Sequence, residues 1–110
     1  MSEKSLDAGR AIIQTSIARI AKRTHPDSEA EQNKLVSSLF DRISTTTDLD
    51  QALAGTDLVV EAVFEQLDAK QDLFKLLDSK AHPNCLFATD TSSLSVTEIA
   101  ASCSEQRRKL

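Results

Sequence analysis

Leu6, Ile13, Ile17 and Ile20 recur at helical spacing, with Arg10, Arg19, Lys22 and Arg23 mostly off that line, and they predict a helix from about Ser5 to Arg23. Thr24-His25-Pro26-Asp27-Ser28 ends it, because Pro26 disfavours helical backbone in the residue before it. Ser28 opens a second helix, with Glu31 three residues on in a capping-box arrangement. Leu35, Val36, Leu39, Phe40 and Ile43 form its apolar stripe. Two helices joined by so short a loop predict an antiparallel hairpin over residues 1–42.

After Arg42 the pattern changes. Ile43-Ser44-Thr45-Thr46-Thr47 is short and rich in β-branched residues, which predicts a strand. Asp48 caps a brief helix over Leu49–Leu53, and Gly55 suits its stop. Asp57 to Val63 is a nearly continuous apolar run, the pattern of a strand buried on both faces in a parallel sheet. Asp68 is placed to cap a helix with Leu73, Phe74, Leu76, Leu77 and Ala81 inward, and His82-Pro83-Asn84 turns the chain into a strand over Cys85–Thr89. Ser95 with Glu98 makes a second capping box, opening a helix with Val96, Ile99 and Ala100. The order β-α-β-α-β-α over residues 43–110 predicts an α/β fold with a parallel sheet behind the helical hairpin. Three parallel strands with an uncovered edge read as part of a larger domain.

Composition narrows the chemistry. The chain has 110 residues, 13 Lys and Arg against 17 Asp and Glu, and a net charge of −4, with no clustered positive charge that would favour nucleic acid. No apolar run approaches the roughly 20 residues of a membrane span, and the first residues show no targeting pattern. Gly9 and Gly55 are too far apart to build a Gly-rich phosphate loop. Cys85 and Cys103, without His25 or His82 at ligand spacing, cannot make a zinc site, so no metal is expected and two reduced, buried thiols are.

In open α/β sheets ligands bind beyond the carboxyl ends of the strands. Glu61–Gln66 and Thr89-Asp90-Thr91-Ser92-Ser93 occupy those places. The second segment is either a polar contact set for ribose, amide or carbonyl groups, or a set of ordinary loop and capping residues. Glu65 and Lys70 are either a surface ion pair or a pair that orients a ligand amide and diphosphate. Arg10, Arg19, Lys22 and Arg23 read as a solvated helix face or a phosphate site, and Arg107-Arg108-Lys109 as a solvated tail.

Three segments carry a resemblance: Thr56 to Glu65, then Lys70-Gln71-Asp72-Leu73-Phe74, then Leu86 to Leu94. They resemble the L-3-hydroxyacyl-CoA dehydrogenases, whose pattern reads approximately TDLVVEA-x-x-E, K-x-ELF and I-x-A-S-N-TSSL, in that order and without gaps against this chain. The opening helices resemble, less specifically, the helical excursion of the family's NAD-binding domain. The resemblance implies an incomplete Rossmann-like parallel sheet preceded by a helical hairpin. It implies NAD as cofactor and oxidation of a 3-hydroxyacyl-CoA substrate in fatty-acid β-oxidation. By motif position Glu65 and Lys70 match the family's NAD contacts, and Ser92 the serine near both nicotinamide and the substrate hydroxyl. Ser16 and Arg23 fall where the excursion contacts CoA, a polyphosphate that a basic side chain suits. The family forms homodimers through a C-terminal helical domain and works in the mitochondrial matrix or the cytoplasm.

The chain departs from the pattern at both ends. No G-x-G-x-x-G loop precedes these motifs, and the chain stops before the family's G-L-H-F-F-N-P segment with its catalytic histidine. His25 and His82 match neither catalytic position, and Asp90 stands where the family usually has Asn. The family's hydride transfer needs a base for the hydroxyl proton. The expectation is therefore a partial NAD-binding domain over residues 1–110, inactive on its own. The alternative is a stand-alone, non-catalytic remnant that binds CoA-like ligands or another protein.

Overall fold

The computed structural model describes residues 2–109. The chain divides into two compact units, Met1–Asp48 and Leu49–Leu110.

The first unit is the helical hairpin. Helix α1 runs Glu3–Thr24, and its N-cap Ser2 accepts the Ser5 N–H. Its last turn carries Lys22 and Arg23, which suit the negative end of the helix dipole. Helix α2 runs Glu29–Phe40, with Ser28 accepting the Glu31 N–H as the capping box predicts. The hairpin buries little: Ile17 and Ala21 are buried on α1, and the stripe of Leu35, Val36, Leu39 and Phe40 on α2 is half-buried. Arg10 is not simply a solvated charge. Its guanidinium lies 4.5 Å from the Phe40 ring centre and donates to the Ile43 carbonyl at 3.2 Å. That contact bears on the strand expected at 43–47, which does not form. The segment is irregular, and the Ile43 carbonyl serves a side chain rather than a ladder. β-branched residues favour a strand only where a neighbour offers the other half of the hydrogen bonds.

In the second unit, helix α3 spans Leu49–Leu53 as expected, and Gly55 takes φ +72°, a left-handed conformation that glycine adopts without steric cost. Strand β1 (Leu58–Glu61) is followed by helix α4 (Leu67–Lys80), strand β2 (Leu86–Thr89) and helix α5 (Val96–Ala100). β1 and β2 pair in parallel with Leu58 opposite Leu86 and Glu61 opposite Thr89. Among the described residues the sheet thus has two strands rather than three. Phe87 packs edge-on against Phe74 of α4, ring centres 5.7 Å apart, over a core completed by Ile99 and Cys103. The other sheet face stays open, with Leu58 53%, Val60 62% and Leu86 45% exposed. The expectation of burial on both faces therefore fails: an apolar run records what a strand can bury, not what lies over it.

Two caps resolve differently. Ser95 caps α5 by accepting the Glu98 N–H, as predicted. Helix α4 has Gln66 at its N-cap with no side-chain cap bond, so Asp68 does not cap it. Asp68 lies inside the first turn, where its charge suits the helix dipole. The expected solvated tail is also corrected. Arg107–Lys109 form a 3-10 turn, and Arg107 is buried against Asp78, the His82, Pro83 and Cys85 carbonyls and the Phe87 ring. Cys85 and Cys103 are both buried.

Candidate functional site

The parallel register brings the carboxyl ends of β1 and β2 side by side, and the chain leaves both strands there into polar turns. Glu61, the last residue of β1, is 3% exposed, and Lys70, one turn into α4, is wholly buried. Lys70 Nζ donates to Glu61 Oε1 at 2.8 Å, to Oε2 at 3.0 Å and to the Val63 carbonyl at 3.4 Å. Glu61 Oε1 also accepts the Val63 N–H at 2.5 Å, and Oε2 accepts the Thr89 hydroxyl at 2.5 Å. Burial pushes the Glu61 carboxyl up, but the Lys70, Thr89 and Val63 donors together outweigh it and hold the group below the usual carboxylate value. The Glu61 hydrogen bond raises the Lys70 pKa against the opposing pull of burial. Both groups are charged at neutral pH.

Glu65 stands above this pair and closer to solvent. Its Oε2 lies 3.3 Å from Lys70 Nζ. Its Oε1 accepts the Thr91 hydroxyl at 2.5 Å, the Ser92 N–H at 2.9 Å, the Ser93 N–H at 3.1 Å and the Ser93 hydroxyl at 3.3 Å. The Thr91 hydroxyl does most to lower the Glu65 pKa, and with the Ser93 and Ser92 N–H groups and Lys70 it brings the group down to about 2 against the pull of burial. Thr91 Oγ1 in turn accepts the Leu94 N–H at 3.1 Å. One carboxylate oxygen thereby gathers the whole turn after β2. Ser92 is exposed on that turn, its N–H held by Glu65, and its hydroxyl has no hydrogen bond among the described residues.

Glu65, Lys70 and Ser92, singled out from the sequence, thus belong to one network. Lys70 is not the surface charge of the first reading, since it is wholly buried. Its main partner is Glu61, which sequence reasoning missed. The signal was there: an acid inside an apolar strand run must be paired when buried, and a lysine follows nine residues on. Thr91 and Ser93 were read as part of a polar segment, without their shared carboxylate.

Ser16 and Arg23 lie on α1 in the other unit. Seven residues apart, they share a helix face and line, with Arg19, Ile20 and Lys22, a shallow groove of about 490 Å³. Ser16 is half-buried, and Arg19, Lys22 and Arg23 are exposed, giving the groove three cationic side chains and one hydroxyl. His25 is the C-cap of α1, and His82 lies in the turn before β2, at the strand end opposite Ser92. Asp90 is exposed and donates its N–H to the Glu61 carbonyl at 2.7 Å, extending the ladder by one bond.

The donor set at the strand ends is an unengaged serine hydroxyl beside a carboxylate, over a buried charge pair. With two carboxylates and one ammonium, the cluster has a net charge of −1. Such a set fits an uncharged or cationic polar group, such as an amide or a ribose hydroxyl, and it disfavours a phosphate. Among the described residues no three His, Cys, Asp or Glu side chains are placed to hold a metal ion, and no helix is long and apolar enough to cross a membrane.

Residues 1–110 match the family described as "3-hydroxyacyl-CoA dehydrogenase, NAD binding domain". The chain belongs to this family. The NAD-binding domain is 36% identical over 107 residues to a probable 3-hydroxyacyl-CoA dehydrogenase of Caenorhabditis elegans, covering 97% of this chain and 35% of that protein. It has the same identity over 107 residues to the mitochondrial hydroxyacyl-coenzyme A dehydrogenase of Homo sapiens, covering 34% of it. Among solved structures it superimposes on 3-hydroxybutyryl-CoA dehydrogenase from Escherichia coli with a TM-score of 0.77 and 33% identity, over 97% of this chain and 21% of that one. The chain therefore spans about a third of the length of the first two relatives. Its fold, a helical hairpin followed by a small parallel sheet, is that of the NAD-binding part of Rossmann-type dehydrogenases.

Proposed function

We propose that this NAD-binding domain serves the oxidation of a 3-hydroxyacyl-CoA to the 3-ketoacyl-CoA, with Ser92 at the junction of dinucleotide and substrate. The observation that carries this reading is the Glu65 clamp on Thr91–Ser93, which fixes the backbone of Ser92 while its hydroxyl makes no bond to the described residues. NAD supplies the hydride acceptor. Ser92 holds the substrate hydroxyl or the nicotinamide amide in place. Glu65 and Lys70 keep the turn rigid, and their surplus negative charge with Glu61 favours the cationic oxidised ring. Ser16 and Arg23 contact the CoA moiety, with Arg19 and Lys22 adding charge for its phosphates.

Residues 1–110 by themselves do not turn over substrate. His82 is a strand length from Ser92, about 13 Å along a four-residue strand, and cannot take the hydroxyl proton there. The test follows NADH formation by the natural protein and by the 110-residue polypeptide with short and long 3-hydroxyacyl-CoA substrates. A protein that carries residues 1–110 together with a base at the substrate hydroxyl reduces NAD, and the 110-residue polypeptide alone does not. Ser92→Ala lowers kcat about a hundred-fold, and Arg23→Ala raises KM for the acyl-CoA about ten-fold. Failure of a protein with that base to reduce NAD with any 3-hydroxyacyl-CoA would overturn the reading.

A further inference from the structure

Glu61 lies one layer beneath Glu65 and Ser92, to which the family resemblance gives roles at the ligand. Its side chain is wholly buried, so it does not itself reach a ligand, yet it provides the nearest oxygens to Lys70 Nζ, at 2.8 and 3.0 Å. The same ammonium faces Glu65 at 3.3 Å, and Glu65 holds Thr91, Ser92 and Ser93. A lysine is a point charge on a flexible four-carbon stem, and its position must be fixed before it can place anything else. The two Glu61 oxygens and the more distant Val63 carbonyl set where the ammonium sits, and from that place its charge faces Glu65 as an ion pair at 3.3 Å. Glu61 is itself held from both strands, by the Val63 N–H just after β1 and by the Thr89 hydroxyl at the end of β2.

We propose that Glu61 is a positioning residue for the dinucleotide site: it aims Lys70 at Glu65, so that Glu65 holds the Thr91–Ser93 turn in the form that presents Ser92. The proposal rests on the reading of Ser92 given above. A merely structural Glu61 would tie β1 to α4 and do nothing for the turn. The two roles separate because replacing a buried ion pair by apolar side chains of similar volume is often nearly neutral for stability, whereas removing one partner is not.

The test uses the natural protein with Glu61→Gln and with the double variant Glu61→Leu/Lys70→Met. Three quantities are measured: Tm, NAD+ affinity by calorimetric titration, and amide hydrogen exchange at Ser92 and Ser93. In the double variant Tm stays within about 5 °C of the parent, while NAD+ binds about ten-fold more weakly and both amides exchange about ten-fold faster. Glu61→Gln shows the same loosening of the turn with Lys70 still present. Affinity and amide exchange within about two-fold of the parent in either folded variant would overturn the proposal. So would weakened NAD+ binding with unchanged amides, since the route through Glu65 would then be wrong. Should the double variant fail to fold, Glu61→Gln decides alone; should Glu61→Gln fail, Glu61→Asp, which keeps the charge but draws its oxygens back from Lys70, decides in its place by the same two readouts. If the parent binds no NAD+, the dinucleotide reading falls, while faster exchange at Ser92 and Ser93 still supports the positioning of the turn by Glu61.

Discussion

Arg107 Nε lies 2.9 Å from Asp78 Oδ1, and this pairing folds the end of the chain back onto α4. The rest of the guanidinium donates to the backbone carbonyls of His82, Pro83 and Cys85 and lies 4.4 Å from the centre of the Phe87 ring. Asp78 Oδ2 accepts the Ser104 N–H at 2.6 Å. Burial pushes the Asp78 carboxyl up, but the Ser104 N–H and Arg107 outweigh it and hold it ionised below its usual range. A single planar fork thus serves the α4–β2 turn, the strand and the terminal segment at once.

Arg107→Met leaves Asp78 part-buried without its cation and takes the guanidinium from the Pro83, Cys85 and His82 carbonyls, of which His82 still accepts the Cys85 N–H. It is expected to destabilise the protein by about 2–4 kcal/mol in urea unfolding. Arg108 is exposed, and Arg108→Met stays within about 0.5 kcal/mol. Equal effects from the two variants would show that Arg107 is no latch.

The core is small enough to rest on few side chains. Phe74 is 5% exposed at its centre, against Phe87, Ile99 and Cys103, whereas Phe64 is 87% exposed just after β1. Phe74→Ala is expected to cost about 3–5 kcal/mol through lost burial and the cavity left behind. Phe64→Ala is expected to change stability by less than about 0.5 kcal/mol. Chemical denaturation of both variants checks the contrast, and a large cost at Phe64 would place it in a contact that the unit does not show.

What the sequence made legible was local. The Ser28–Glu31 and Ser95–Glu98 caps, the limits of α3 and the left-handed Gly55 follow from residues within four positions of one another, and all are present. What it hid was set by partners distant in sequence. Ile43–Thr47 has the composition of a strand, but pairing needs a neighbour, and the Ile43 carbonyl went to Arg10 instead. Arg107 looked like a tail because its partners lie 22 to 29 residues away. Glu61 passed as one polar residue in an apolar run, since its meaning depends on Lys70 folding over it. Glu65 and Ser92 were marked by motif, but the bond between them, 27 residues apart, is a property of the parallel register.

Thr91 supports the clamp in both directions, donating to Glu65 at 2.5 Å and accepting the Leu94 N–H at 3.1 Å. Thr91→Val keeps the shape and removes the hydroxyl. Because that hydroxyl does most to lower the Glu65 pKa, the variant is expected to raise it from about 2 toward the ordinary carboxylate value. Carboxyl-carbon NMR titration reads the shift directly, and faster amide exchange at Leu94 accompanies it. A Glu65 titration unchanged by Thr91→Val would mean that the backbone N–H groups alone hold the charge.

The Glu65 clamp also sets a pH dependence whose sign is fixed. The folded group titrates at about 2 and the unfolded one near 4.5, so on acidification the unfolded chain binds the proton first. The stabilisation from this carboxylate is complete above the unfolded value, declines as pH falls between 4.5 and 2, and is lost below the folded value. Glu61 and Asp78, also lowered, act in the same direction. Glu65→Gln is therefore expected to lower Tm at neutral pH and to make its fall with acid shallower, though not flat, because the other two carboxylates remain. Thermal unfolding followed across that range for parent and variant checks it. Parallel curves would mean that Glu65 carries no net stabilising charge, and that the Thr91–Ser93 turn holds itself.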